Sequence, residues 1–147
     1  MRVGVDATSW GISPHKNLTA VVGALAALRD AGRPAPRLVA VGDLYSTATA
    51  VVIPSLAEGF GLPAVEAGAC QAPLILRDPP AHRETLDGAA NFVPPTDEHR
   101  IAEAIGRVAG DAELRADLGA RARRAVEPLS WAGAARALRE VLVGARR

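Results

Sequence analysis

Apolar and polar positions follow two rhythms along this chain. Over positions 2–93 short apolar runs alternate with stretches in which apolar residues return every three or four positions. Residues 2–6 (RVGVD) read as a short buried parallel strand with a polar end. Ser13 and Pro14 suit the N-cap and first turn of a helix that Gly32 closes, with Leu18, Val21, Val22, Leu25 and Leu28 on one face. Strands are expected at residues 37–42, 50–55 and 72–76, and a helix over about residues 63–70. PAHRETL reads as a helical turn and NFV (91–93) as a last short strand. Beyond PPTD the rhythm is wholly helical. Asp97, Asp111 and Ser130 stand as N-caps of three helices, and Leu138, Val141 and Leu142 form a stripe along the last.

Strands alternating with helices imply right-handed βαβ crossovers. The expected fold is α/β, a Rossmann-like, mostly parallel sheet with helices on both faces. Ligands of such sheets bind beyond the carboxyl ends of the strands. That places the loops after Gly42, Pro54 and Leu76 on a common functional rim.

Composition narrows the partners. The 147 residues suit one domain, and 49% hydrophobic with 22% charged residues is the balance of a globular protein. A net charge of +1 points to neither nucleic acid nor an anionic membrane. The arginines of RARR (121–124) and GARR (144–147) read as solvated helix faces and a helix C-terminus. A single cysteine, Cys70, excludes an internal disulfide, fits a reducing compartment and reads as a small buried apolar residue. His15 and His82 read as polar surface near the rim, and Trp131 as packing for the last helix. No run reaches the ~18 apolar residues of a membrane span, and MRVGVDATSW lacks the apolar core of a signal peptide. A cytoplasmic location is expected.

The densest chemistry lies in PSLAEGFGLPAVEAGAC, residues 54–70. Gly59 and Gly61 open backbone conformations closed to other residues and let a ligand approach the main chain. Pro63, near the first turn of the next helix, gives up an amide that would be unpaired there. The free amides around Gly61 and Leu62, at the positive end of the helix dipole, suit anionic or hydroxyl oxygens. Glu66, about a turn into that helix, can accept hydrogen bonds from a diol, and Glu58 approaches the same space from the strand side. From the residues alone this is either a ligand cradle or a glycine-rich turn with two solvated glutamates. No G-x-x-x-x-G-K-[ST] or G-x-G-x-x-G accompanies it, and histidines and carboxylates show no metal-ligand spacing.

The same segment resembles the E-x7-E motif of retaining glycosyltransferases of the GT-B fold, especially glycosyltransferase family 4. HKNLTAVVGALAAL resembles that family's Lys-Asn-Leu helix. The run from DPPAHRETL through GARARRAV resembles its turn and closing helices, and LSWAGAARAL its Ser-Trp motif. The resemblance covers roughly residues 13–147 and implies a single C-terminal-type half of a GT-B fold. Residues 13–147 would be the donor-binding domain, and residues 1–12 a remnant first strand resembling the N-terminal acceptor domain. It implies transfer of a sugar, with retained configuration, from a nucleotide-diphosphate sugar to an unknown acceptor, without cofactor or metal. Glu58 would face the donor sugar and Glu66 would hold the ribose hydroxyls. Gly59, Phe60, Gly61 and Leu62 would contact sugar or phosphate, and Lys16 would pair with the diphosphate. The chain departs from the family pattern in TSWGISPHK, which lacks the family's arginine, in the short segment after Asp43, and at Gln71, where a glycine is usual. A separate acceptor domain or a homodimer is the implied partner. The alternative is an inactive nucleotide-sugar-binding or self-associating module.

Overall fold

The computed structural model describes residues 2–5, 18–34, 37–39, 42–77, 80–94 and 96–145. Five strands, β1 (Arg2–Val5), β2 (Arg37–Val39), β3 (Ala50–Ile53), β4 (Leu74–Arg77) and β5 (Asn91–Val93), form one sheet in the order β2-β1-β3-β4-β5. Every neighbouring pair is parallel, with Val3 opposite Ala50, Ile53 opposite Leu76 and Arg77 opposite Val93. Strand β1 therefore lies inside the sheet, between β2 and β3. The helices are α1 (Leu18–Asp30), α2 (Leu62–Ala69), α3 (Pro80–Leu86), α4 (Glu98–Gly110), α5 (Ala112–Val126) and α6 (Trp131–Gly144).

Alternation along the strands divides the core in two. Val52, Ile75 and Val93 face α1 and α4, meeting Val21, Ala24, Leu28, Ile101, Ile105 and Val108. Val51, Ile53, Leu74 and Leu76 face the other way, onto Ala64 and Ala67 of α2, Leu86 of α3, and Ala122 and Val126 of α5. Successive strand residues point to opposite faces, so a sheet covered on both sides needs continuous apolar strands. AVVI and LIL are such strands, and every one of those residues is buried.

The expected boundaries shift where local chemistry intervenes. Strand β3 ends at Ile53 rather than Ser55, because Pro54 has no amide to continue the ladder. Strand β4 runs over Leu74–Arg77 rather than 72–76; the carbonyl of Pro73 still accepts from the Val51 amide at 2.8 Å. Gly42 opens a 3-10 helix, Gly42–Thr47, instead of closing a strand. Helix α2 starts one residue early, at Leu62, and ends at Ala69. The cap expected at Ser13 and the polar end at Asp6 lie outside the described residues. On α1, Ala20 and Ala24 join Val21 and Leu28 in the core, while Val22 is 55% exposed. The packed stripe is thus turned by one position from the expected face. Arg33 N–H reaches Leu28 O and Gly32 N–H reaches Arg29 O, each at 2.9 Å, which closes α1 with Gly32 at φ +67°. Gln71 takes the same left-handed role after α2 at φ +58°, without glycine's freedom.

Three expected caps are in place. Asp97 accepts from the Arg100 amide at 3.0 Å, Asp111 from Leu114 at 2.9 Å and Ser130 from Gly133 at 3.0 Å. Three readings of single residues are corrected. Cys70 is exposed, because it follows α2 on the helix's outer side. Trp131 is 84% exposed rather than packed, since α6 buries no residue among those described. His82, read as polar surface, is fully buried on α3.

Ile75 is fully buried and Val22 mostly exposed, so the two positions should separate in stability. Ile75→Ala is expected to cost about 2–5 kcal/mol by urea unfolding. Val22→Ala should stay within about 0.5 kcal/mol of the parent. Similar losses at both sites would contradict the packing described.

Candidate functional site

The strand order reverses once. From β1 the chain steps outward to β2, returns on the other side of β1 as β3, and continues to β4 and β5. The crevice beyond the carboxyl ends of β1 and β3 is the switch point where open α/β sheets bind ligands. The loop leaving β3 at that crevice is the segment singled out in the sequence.

After the buried Pro54 and Ser55, the chain turns outward through Leu56–Phe60 and re-enters at Gly61. Gly61 is the N-cap of α2, with φ 79° and ψ 39°, and no side chain caps the helix. Its carbonyl accepts from Ala64 and Val65 amides at 2.9 and 3.2 Å. Among the described residues, the amides of Phe60, Gly61 and Leu62 meet no backbone carbonyl. They lie at the positive end of the α2 dipole. Phe60 and Leu62 are each 47% exposed beside them, and Gly59 is exposed. Pro63 is the second residue of α2.

Glu58 is half-buried and holds an interaction within the fold. Glu66 is exposed on α2, one turn beyond Leu62. Helical side chains tilt toward the N-terminus, a direction that leads from Glu66 over Leu62 toward the rim. Glu58, Gly59, Phe60 and Gly61 thus lie on the turn itself, and Leu62 and Glu66 on the first two turns of the helix it opens. Lys16 lies outside the described residues.

Two residues missed in the sequence hold this turn from below. The His82 ring lies against Gly61: a Cβ on Gly61 would sit 2.6 Å from His82 Cδ2 and 2.8 Å from Nε2. His82 Nδ1 lies 3.2 Å from the carbonyl of Arg77. A carbonyl only accepts, so the geometry assigns the proton to Nδ1. Arg77 Nη1 in turn donates to Ser55 O at 3.2 Å. The chain of contacts Ser55–Arg77–His82–Gly61 thus ties β3, β4, α3 and α2 together at the rim. A legible signal existed for Arg77, the charge closing the apolar run LILR. None existed for His82, whose burial depends on where α3 docks.

Among the described residues, no group of three or more histidine, cysteine or carboxylate side chains is placed to hold a metal ion. No helix among them is long and apolar enough to cross a membrane.

The family model described as "Glycosyl transferases group 1" matches residues 40–125. D-inositol 3-phosphate glycosyltransferase of Kineococcus radiotolerans is 32% identical over 126 residues, covering 78% of this chain and 29% of that protein. The O-antigen chain mannosyltransferase RfbU of Salmonella typhimurium is 45% identical over 65 residues, covering 44% of this chain and 18% of that protein. The chain spans less than a third of the length of these curated relatives. Among solved structures, Anabaena HepE in complex with UDP and glucose superposes with a TM-score of 0.80 at 17% identity, over 97% of this chain and 48% of that one. Sucrose-phosphate synthase from Thermosynechococcus elongatus superposes with a TM-score of 0.75 at 22% identity, over 97% and 46%. The fold is that of one half of a GT-B glycosyltransferase.

Gly61 carries two independent demands, a left-handed backbone and contact with the His82 ring, whereas a Cβ on Gly59 would meet nothing within 4 Å. Gly61→Ala should therefore lose about 1–3 kcal/mol in denaturant titration. Gly59→Ala should lose less than about 1 kcal/mol. Equal effects at the two glycines would count against the described turn.

Proposed function

We propose, from the premise that the chain belongs to the glycosyl transferases group 1 family, that it is the donor-binding half of a retaining glycosyltransferase of the family 4 type. The observation that carries this reading is the turn at the switch point, which bears Glu58, amides of residues 60–62 that meet no backbone carbonyl and, one helical turn on, Glu66. A nucleotide-diphosphate sugar has a diol, a diphosphate and a hydroxylated ring, and the turn offers a group for each. Glu66 accepts from the ribose hydroxyls. The amides at the α2 N-terminus meet phosphate or sugar oxygens. Glu58 faces the donor sugar, and Lys16 pairs with the diphosphate. That solved neighbours hold UDP supports a nucleotide donor.

In the proposed reaction the bond between the anomeric carbon and the diphosphate oxygen breaks, and its electron pair leaves on the diphosphate. The acceptor hydroxyl oxygen forms the new glycosidic bond on the same face. Its proton passes to the departing diphosphate. Protein cations and helix amides stabilise the leaving charge, so the proposal requires neither cofactor nor metal. A cytoplasmic location belongs to the same proposal, supported by the single cysteine.

A second reading rests on α6, whose Trp131, Leu138, Val141 and Leu142 are all exposed. An apolar helix face of this kind suits a separately supplied acceptor domain or another copy of the chain. Sedimentation at rising concentration should then detect association of the isolated chain that Leu138→Glu abolishes. A monomer at all concentrations removes self-association from the reading.

The donor assignment is tested by calorimetry with UDP, GDP and ADP on the folded protein. One diphosphate is expected to bind, and Glu66→Ala to weaken it about 10-fold or more through the lost diol contact. No binding of any of the three by a folded chain would defeat the donor reading.

A further inference from the structure

We infer that Arg77 is a donor-binding residue, the cation that the fold holds at the switch-point crevice for the diphosphate of the bound nucleotide. The inference rests on the donor-binding reading above and adds a residue to it.

Place comes first. Arg77 is the last residue of β4, and its guanidinium reaches sideways to the Ser55 carbonyl, 3.2 Å from Nη1. Ser55 follows the end of β3 by two residues, so the cation lies over the carboxyl end of the middle strand. That end lies at the topological switch point between β1 and β3. The Glu58 loop and the open amides at the start of α2 leave from the same edge.

Charge comes second. Leu74, Ile75 and Leu76 of the same strand are fully buried, and Arg77 is half-buried behind them. Its Nε is closed to solvent and has no hydrogen-bond partner. Ion pairs among the described residues join Arg83 to Asp87, His99 and Arg100 to Glu103, and Arg121 to Asp117. Among the described residues, none gives Arg77 a carboxylate. A partly desolvated guanidinium held by one neutral carbonyl is poorly compensated. Stability alone would favour a leucine or methionine continuing the apolar strand. An arginine makes physical sense there if an anion completes its shell, and the guanidinium fork suits paired phosphate oxygens.

Orientation comes third. The Ser55 carbonyl fixes one arm of the fork, and His82 Nδ1 fixes the arginine's own carbonyl at 3.2 Å. The buried His82 ring also supports Gly61, the N-cap of α2. One buried side chain therefore sets the cation and the helix amides relative to each other. A diphosphate lying between them would meet donors that need little rearrangement on binding.

The test separates phosphate recognition from recognition of the rest of the nucleotide. UDP, UMP and uridine are titrated against wild type, Arg77→Met and Arg77→Lys by calorimetry, with amide NMR shifts for the weakest ligand. Thermal melts confirm that each variant is folded. Arg77→Met is expected to weaken UDP about 10- to 100-fold, the scale of a lost charged hydrogen bond. It should leave uridine within about twofold, and Arg77→Lys should fall between wild type and Arg77→Met for UDP. UDP binding by Arg77→Met within about threefold of wild type overturns the inference and leaves the donor reading standing. A matching loss of uridine overturns it too, because that marks a distorted site. Should Arg77→Met not fold, Arg77→Gln serves with the same thresholds. If wild type binds GDP or ADP instead, the corresponding nucleotide series replaces uridine. If it binds no nucleoside diphosphate, the donor reading fails first and the inference with it.

Discussion

The burial of a parallel sheet on both faces is the constraint from which the rest follows. Helices α1 and α4 cover one side, and α2, α3 and α5 the other, so β3 and β4 have no solvated face. Polar chemistry can enter such strands only at their ends. Here it enters at the carboxyl end, with Ser55 after AVVIP, Glu58 three residues on, and Arg77 closing LILR. The same constraint that makes the strands continuous apolar runs also concentrates the candidate site on one rim.

The contact of Gly61 with His82 is what gives that rim a fixed shape. A βα turn with a left-handed N-cap could swing, since no side chain caps α2. The missing Cβ at Gly61 lets the turn settle on a buried ring from α3 instead. Helix α3 thereby positions the amides of α2, although the two are separated in sequence by all of β4. Burying a polar ring costs unless its nitrogens find partners, and the Nδ1 contact with the Arg77 carbonyl meets part of that cost.

What could be read in the sequence is what is decided within a few residues. Asp97, Asp111 and Ser130 cap their helices because a cap depends on the amide three positions ahead. The strand β5 and helix α3 appear at their expected positions for the same local reason. Strand ends were misplaced by two residues near Pro54 and Pro73, where prolines interrupt the ladder but not the apolar pattern. Val22, Cys70 and His82 were misread because burial depends on which way a helix is rotated against the sheet, and composition does not encode that rotation. The glutamates and glycines of the β3–α2 turn were legible as a motif. The support under the turn was not, because it comes from Arg77 and His82, which lie beyond the whole of α2 in sequence.

Helix α6 shows how far the described fold accounts for its own stability. A helix of this length is marginal in water unless an apolar face is buried. The Ser130 cap adds only about 1 kcal/mol, and α6 buries no residue among those described. Its periodicity is nonetheless that of a packed helix, with Trp131, Leu138, Val141 and Leu142 on a common side. Among the described residues, this sheet and its five other helices leave that face exposed. Sugar transfer makes a parallel demand, because a bound donor reacts only when an acceptor hydroxyl is held in line with the anomeric carbon. On the proposed function, the rim built from α2, β3 and β4 serves the donor. A partner that covers α6 and brings an acceptor to the rim would meet both demands with one interface.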